Sequence, residues 1–475
     1  MHSWWLILLT VVVALMCLGF AVYALFYFIS EEDSEGAYFT KIVIVLGILT
    51  PVGVVLLLPL DAANVHDPTV VKEYIGSLNT DLMWEIVLWT LLGLALIVVP
   101  SLLFFYEAFD PEENSIGRQI GHAIAYTAII CVVYVIIFAA CFVNVGTADI
   151  PIEKYETEAQ FVTLDKATFN RTSTTDYIEL PVSLFTYNVG LMCLIGWVAF
   201  FFYGGTGLVA LPIDFIRGFI NRPQAMTAST FAKEMAIVAA KGDILLEMAL
   251  GLQKSARGHI SNTIRNKVNI LRKETYLLEE EQENLIWAYT MVGGSPFIVY
   301  GKLAVGILGI ILSLMWVVQI LVANILKKSP FLNTMLLGMY NALPALGLVM
   351  YGIMVFYLVW ITFVGQIRVG LRLVFFQIHP MKPHDTTLNS FLFNVSLMLL
   401  TCTAILQFAT NSFNEYVPRT SINALMNLYV AHLKGIGLVI GWAQYCFLCM
   451  SAVSLVWVLI CPMQDDKRRQ ARTIR

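Results

Sequence analysis

QIGHAIAYTAIICVVYVIIFAACFVNV, residues 119–145, contains no Asp, Glu, Lys or Arg, and its single histidine, His122, stands near its start. At 1.5 Å per residue this run reaches about 40 Å, enough to cross a hydrocarbon layer roughly 30 Å thick. Similar runs begin near Trp4, Lys41, Leu82, Pro181, Gly301, Pro344, Asn389 and Gly435. Across 475 residues, 58% are hydrophobic and only 13% are charged, against about 25% charged in an average soluble domain. Lipid leaves backbone N–H and C=O groups no outside partner, so isolated apolar runs of this length become helices. A membrane barrel needs strands of about ten residues with alternating polarity, and no such series is visible. The sequence therefore predicts an all-α integral membrane protein with about nine transmembrane helices.

The runs divide the chain into parts. Residues 1–203 hold five spans and a loop at 146–180, and residues 204–300 form the one large segment outside the membrane. Residues 301–461 hold four more spans, and 462–475 are a basic tail. The first run lacks a basic leader and a small-residue cleavage pattern, so it reads as a retained span. The tail cluster Lys467-Arg468-Arg469 favours a cytosolic C-terminus. The sequon Asn170-Arg171-Thr172 marks Asn170 as a glycosylation site on the luminal side. Both predict a luminal or extracellular N-terminus. Phe331–Leu343, which ends at Pro344, reads as a short segment at the luminal interface.

In the 204–300 segment, Phe231, Met235, Val238, Leu245, Met248 and Leu252 share a helical face. Ile264, Val268, Leu271, Leu278 and Leu285 repeat the pattern after Arg257-Gly258-His259. Two amphipathic helices would bury these stripes against each other as a coiled-coil-like hairpin. Gly205–Leu211 reads as a flexible exit from the fifth span, and Leu211–Arg217 as an interfacial elbow. Leu371–Lys382 alternates aromatic and basic residues, as in a helix lying at headgroup level.

Little in the chain suggests catalysis. No phosphate-binding glycine loop, HExxH or serine elbow is present, and the seven histidines have no partners at metal-ligand spacing. No cofactor is expected. A net charge of −4 argues against nucleic-acid binding. All eight cysteines lie in apolar runs, so no disulfide framework is expected. Cys446 and Cys449 have CxxC spacing but read as packing residues within the last helix. The deeper polar groups are neutral, notably Gln319, Asn394, Gln407 and Gln444, and such amides commonly join helices. Asn394, Gln407 and Gln444 are also the candidates to line a pathway for a neutral ligand. Candidate sorting signals are Tyr106-Glu107-Ala108-Phe109, and Glu281 with Leu285-Ile286.

LLLPLDAANVH (56–66), FFYEAFDPEE (104–113), ALPIDFIRGFINRPQA (210–225), GLRLVFFQIHPMK (370–382) and LNSFLFNVSLMLL (388–400) together resemble the LIMR family. These are the lipocalin-interacting membrane receptor and limb-region-like proteins, and the likeness is strongest to plant and protist members. The resemblance implies nine helices, a luminal N-terminus and no catalytic residues. It also implies a plasma-membrane or endosomal/lysosomal location, and a lipocalin-like or small apolar ligand as one class of partner. Two functions follow as expectations. The first is a receptor or trafficking partner that binds another protein through its cytosolic helical loop. The second is a transporter or lipid-handling protein for a neutral or apolar ligand. Membrane lipid surrounds the protein in either case.

Overall fold

The computed structural model describes residues 4–30, 37–66, 79–108, 116–163, 166–220, 227–255, 262–290, 296–326, 328, 330–373, 376–378, 381 and 386–460. Among these, nine helices are long and apolar enough to cross a membrane. They fall where the sequence runs place them. The chain forms two compact units, Met1–Ala210 with Leu312–Leu455, and Leu211–Ile311 with Val456–Arg475.

In the first unit, α1 (Trp4–Phe28) and α2 (Tyr38–His66) are the first two spans. The third runs through α3 (Thr80–Gly93), a π-helical stretch Leu94–Val98 and α4 (Val99–Glu107). The fourth is α5 (Ile116–Val145). Strands β1 (Thr147–Thr163) and β2 (Lys166–Pro181) then pair antiparallel, and α6 (Leu184–Ile220) is the fifth span. The later helices are α10 (Phe331–Ala342), α11 (Pro344–Val369), α12 (Leu388–Ser412) and α14 (Ile436–Ile460). A short helical run from α13 (Ser421–Asn423) through a π-helical stretch to His432 precedes α14.

Helix α12 is central: 78% of its most apolar stretch is buried, against none of the corresponding stretch of α5. It packs against α2, α4 and α11. The exposed face of α5, including Ile124, Ile129, Val133 and Ile136, is aliphatic, as suits a lipid-facing helix.

Contacts between the segments joining spans agree with nine crossings. At one end, Ser30 N–H donates to the Thr386 carbonyl at 2.9 Å, and Asn389 Nδ2 to Glu107 Oε1 at 2.6 Å. At the other, Lys434 N–H donates to the Thr147 carbonyl at 3.1 Å, and Asn333 Nδ2 to the Ser412 carbonyl at 2.9 Å. An even number of spans separates the partners of each pair in the chain. Two groups on one membrane face require that.

Three sequence expectations need correction. The fifth span does not leave the membrane helix at Gly205, and no elbow forms at Leu211. Helix α6 continues to Ile220 with Pro212 inside it. Within that helix a Cβ at Gly207 would lie 1.7 Å from the Ile361 carbonyl oxygen of α11, and one at Gly365 would lie 1.9 Å from the Tyr203 carbonyl oxygen. The glycines are contact points between two backbones, not hinges. The described residues of 371–382 do not form the expected headgroup-level helix. Gly370 (φ 58°) ends α11, and Leu371–Leu373 pairs antiparallel with Phe376–Ile378 as β3 and β4. Finally, Cys446 and Cys449 are exposed on α14 instead of packed within the protein.

The segment read as a loop at 146–180 is the β1–β2 hairpin. Its base is pinned by an Ala148–Leu433 bridge and by Lys434 Nζ, which lies 2.6 Å from Glu179 Oε1 and 3.8 Å from Asp149 Oδ1. The hydrogen bond from Lys434 holds the Glu179 carboxyl below its usual range, and the Glu179 partner raises the Lys434 ammonium. Their attraction is thus complete above the ordinary carboxylate value near pH 4.3 and below the ordinary lysine value near pH 10.4. It is lost as pH falls through the lowered Glu179 value or rises through the raised Lys434 value. Hydrogen-exchange protection of the Lys434 amide is expected to fall at both extremes, and Lys434→Gln should remove the dependence.

In the second unit, α6 meets α9 (Pro296–Ile320) at Gly306 and Gly309, where Cβ positions would contact Phe215 and Pro212 at 3.1 and 3.3 Å. Helices α7 (Ala228–Ser255) and α8 (Asn262–Thr290) run antiparallel. The Phe231 and Tyr289 rings stack at 4.4 Å, Lys241 Nζ meets Glu281 Oε2 at 2.8 Å, and Gly242 faces Leu278. The turn expected at Arg257-Gly258-His259 lies outside the described residues.

Candidate functional site

The residues expected to line a neutral pathway are all buried. Asn394 and Gln407 lie on α12 about 20 Å apart along the helix, and Gln444 is buried on α14. Asn394 Nδ2 donates to the Ser390 carbonyl at 2.8 Å within its own helix. Gln407 Oε1 accepts from the wholly buried Trp197 Nε1 at 3.1 Å, tying α12 to α6. Gln319 Nε2 donates to the Ser412 carbonyl at 3.2 Å, while its Oε1 accepts from Leu332 N–H. These amides act as latches between helices or along one.

The polar cluster that the sequence reading missed centres on Asp61. This residue lies inside α2 with 0% exposure. Its Oδ2 accepts from Trp84 Nε1 on α3 at 2.8 Å and from Ile422 N–H at 3.3 Å. The Thr80 hydroxyl and Ser421 N–H also face the carboxyl group. Asp61 Oδ1 and the Tyr351 hydroxyl on α11 are both buried and without a hydrogen-bond partner among the described residues. Tyr351 lies within electrostatic reach of Asp61, and its ring packs edge-on against Phe413 at 5.1 Å. The signal was present in the sequence. Pro59-Leu60-Asp61-Ala62-Ala63 keeps a helical, apolar character past the proline, so the acid sits one turn inside the helix.

The second feature is on α7. Phe231, Met235, Val238, Gly242, Leu245, Ala249 and Leu252 are its covered positions, at steps of four and three. That is the seam of two helices packed side by side. Met248, expected in the seam, lies outside it. Ile237, Ile244 and Met248 form a second stripe, exposed by 50%, 54% and 54%. On α8, Leu271, Leu278 and Leu285 are partly covered, whereas Val268 is exposed.

The sorting candidates are mostly engaged in structure. Tyr106 belongs to α4, and its hydroxyl lies 3.0 Å from Thr40 Oγ1. Phe109 lies outside the described residues. Glu281 is paired with Lys241, Leu285 is half-buried and Ile286 is exposed by 42%. Asn170 is in β2 opposite Glu158, and its side chain lies outside what is described. No group of three or more His, Cys, Asp or Glu able to hold a metal ion is found among the described residues.

Nine apolar helices joined by same-side contacts define a polytopic helical membrane protein. Residues 6–284 and 256–456 match the family described as LMBR1-like membrane proteins. The chain belongs to that family. A LIMR family protein of Dictyostelium discoideum is 29% identical, covering 98% of each chain. One from Oryza sativa is 28% identical over 96% of each, and one from Arabidopsis thaliana is 29% identical over 91% of this chain and 90% of its own. No solved structure matches.

Proposed function

We propose that this LMBR1-like protein is a receptor or partner protein that works through protein–protein contacts on the outer stripe of α7. The observation that carries this reading is Ile237, Ile244 and Met248, three aliphatic side chains at least half exposed on a helix that is not a candidate span. Exposed apolar side chains on a helix outside lipid cost free energy until something covers them. The helix already spends its other apolar face on α8. The fitting partner is a protein that presents its own apolar helical face. Stripes of this kind contribute through area removed from water, about 25 cal/mol per Å².

In this reading the N-terminus and the β1–β2 hairpin are luminal or extracellular, and the paired helices and tail are cytosolic. The protein resides in the plasma membrane or an endosomal/lysosomal membrane. Asn170 then carries a glycan, so glycosidase treatment of the full chain should give a faster-migrating band, and Asn170→Gln should already migrate there.

The docking reading is tested with Ile237→Glu combined with Ile244→Glu in the full chain, and with Lys267→Glu as a control. Proximity labelling from the cytosolic tail should lose a discrete set of protein neighbours in the double variant only. An unchanged neighbour set and location in a correctly inserted double variant would refute it.

A further inference from the structure

We infer that Asp61 is a proton-binding site, its carboxyl group carrying a proton on Oδ1 in this arrangement of helices. This goes beyond the docking reading and does not depend on it. A carboxylate with 0% exposure has lost its water, and the cost of keeping it ionised is large unless a cation sits beside it. No cationic side chain pairs with Asp61 among the described residues. The Trp84 and Ile422 N–H donors both serve Oδ2, leaving Oδ1 bare. A proton on that oxygen neutralises the group. The Tyr351 hydroxyl, also buried and without a hydrogen-bond partner among the described residues, lies within electrostatic reach of the same carboxyl group.

The groups facing the site from the surrounding elements are few. Helix α3 contributes Trp84 and Thr80, α11 contributes Tyr351, and the 413–422 segment contributes Tyr416 beside Tyr351 and the Ser421 and Ile422 amides. Asp81 and Glu85 of α3 are exposed, as are Glu415 and Arg419. None supplies a countercharge in the buried cluster. The carboxyl joins α2, α3 and the helical run leading to α14. Losing its proton would require water or a cation to enter among them.

The test is infrared difference spectroscopy on the full chain in lipid nanodiscs, compared with Asp61→Asn. A protonated-carboxyl C=O band is expected near neutral pH in the parent, and its loss is expected in Asp61→Asn. Trp84→Phe removes a donor that favours the ionised form, so the band should persist to higher pH. Should Asp61→Asn fail to insert, carboxyl-¹³C aspartate in the parent and in Trp84→Phe gives the same readout, as one protonated aspartate resonance whose titration moves upward. Absence of any Asp61-dependent protonated band would overturn the inference. So would a band abolished by sodium at constant pH, which would make the ligand a metal cation.

Discussion

Gly207→Ala is expected to force α6 and α11 apart and to lower stability by about 3 kcal/mol, the upper end for overpacking. The added Cβ would lie 1.7 Å from the Ile361 carbonyl oxygen, and backbone cannot swing aside as a side chain does. Gly365→Ala should cost a similar amount, because its Cβ would lie 1.9 Å from the Tyr203 carbonyl oxygen. In lipid no hydrophobic effect draws helices together, so close backbone approach through small residues supplies much of the packing. Gly218→Ala is the control, since nothing lies within 4 Å of its Cβ position. Thermal unfolding in detergent should separate the two interface variants from this control. Equal stability of all three would show that the α6–α11 crossing is not a close contact.

An effect at least as large is expected at Trp197. This ring is 1% exposed and lies among Phe200 and Phe408 at 5.3 and 5.8 Å, with Phe408 in turn 5.2 Å from Trp316 and 5.7 Å from Phe447. Trp197→Ala should cost about 3–5 kcal/mol through lost contacts and a cavity. Gln407→Leu should cost about 1–3 kcal/mol, because it strands the buried indole N–H. Adding Trp197→Phe to Gln407→Leu removes the stranded donor, so the pair should be less destabilised than the sum of the single changes. Additive losses in a denaturant series would show that the hydrogen bond carries no coupling.

What the sequence made readable followed from period and length. The spans, the break at Pro344 and the seam of α7 all depend on spacing within one segment. What it hid depends on partners distant in the chain. Gly205–Leu211 looks flexible in isolation, and only the opposing backbones of α14 and α11 show Gly205 and Gly207 to be contact points. Asp61 is a lone acid near the end of a span until Trp84 and Ile422 close over it. The hairpin alternates, as in Thr175, Tyr177 and Glu179 against Asp176, Ile178 and Leu180, but its anchor at Leu433–Lys434 lies some 250 residues downstream. Leu371–Ile378 carries too little periodicity to separate strand from helix, and Gly370 at positive φ decides it. The family resemblance extended over the whole chain, yet it named no site.

Successive apolar helices cross lipid in alternating directions. Tyr38, 76% exposed at the start of α2, and Thr175, exposed in the hairpin, are separated by three crossings. In a cysteine-free background, Tyr38→Cys and Thr175→Cys should react with a membrane-impermeant maleimide from opposite faces of sealed vesicles, each becoming accessible from the other side only after permeabilisation. Labelling of both from the same face would contradict the account.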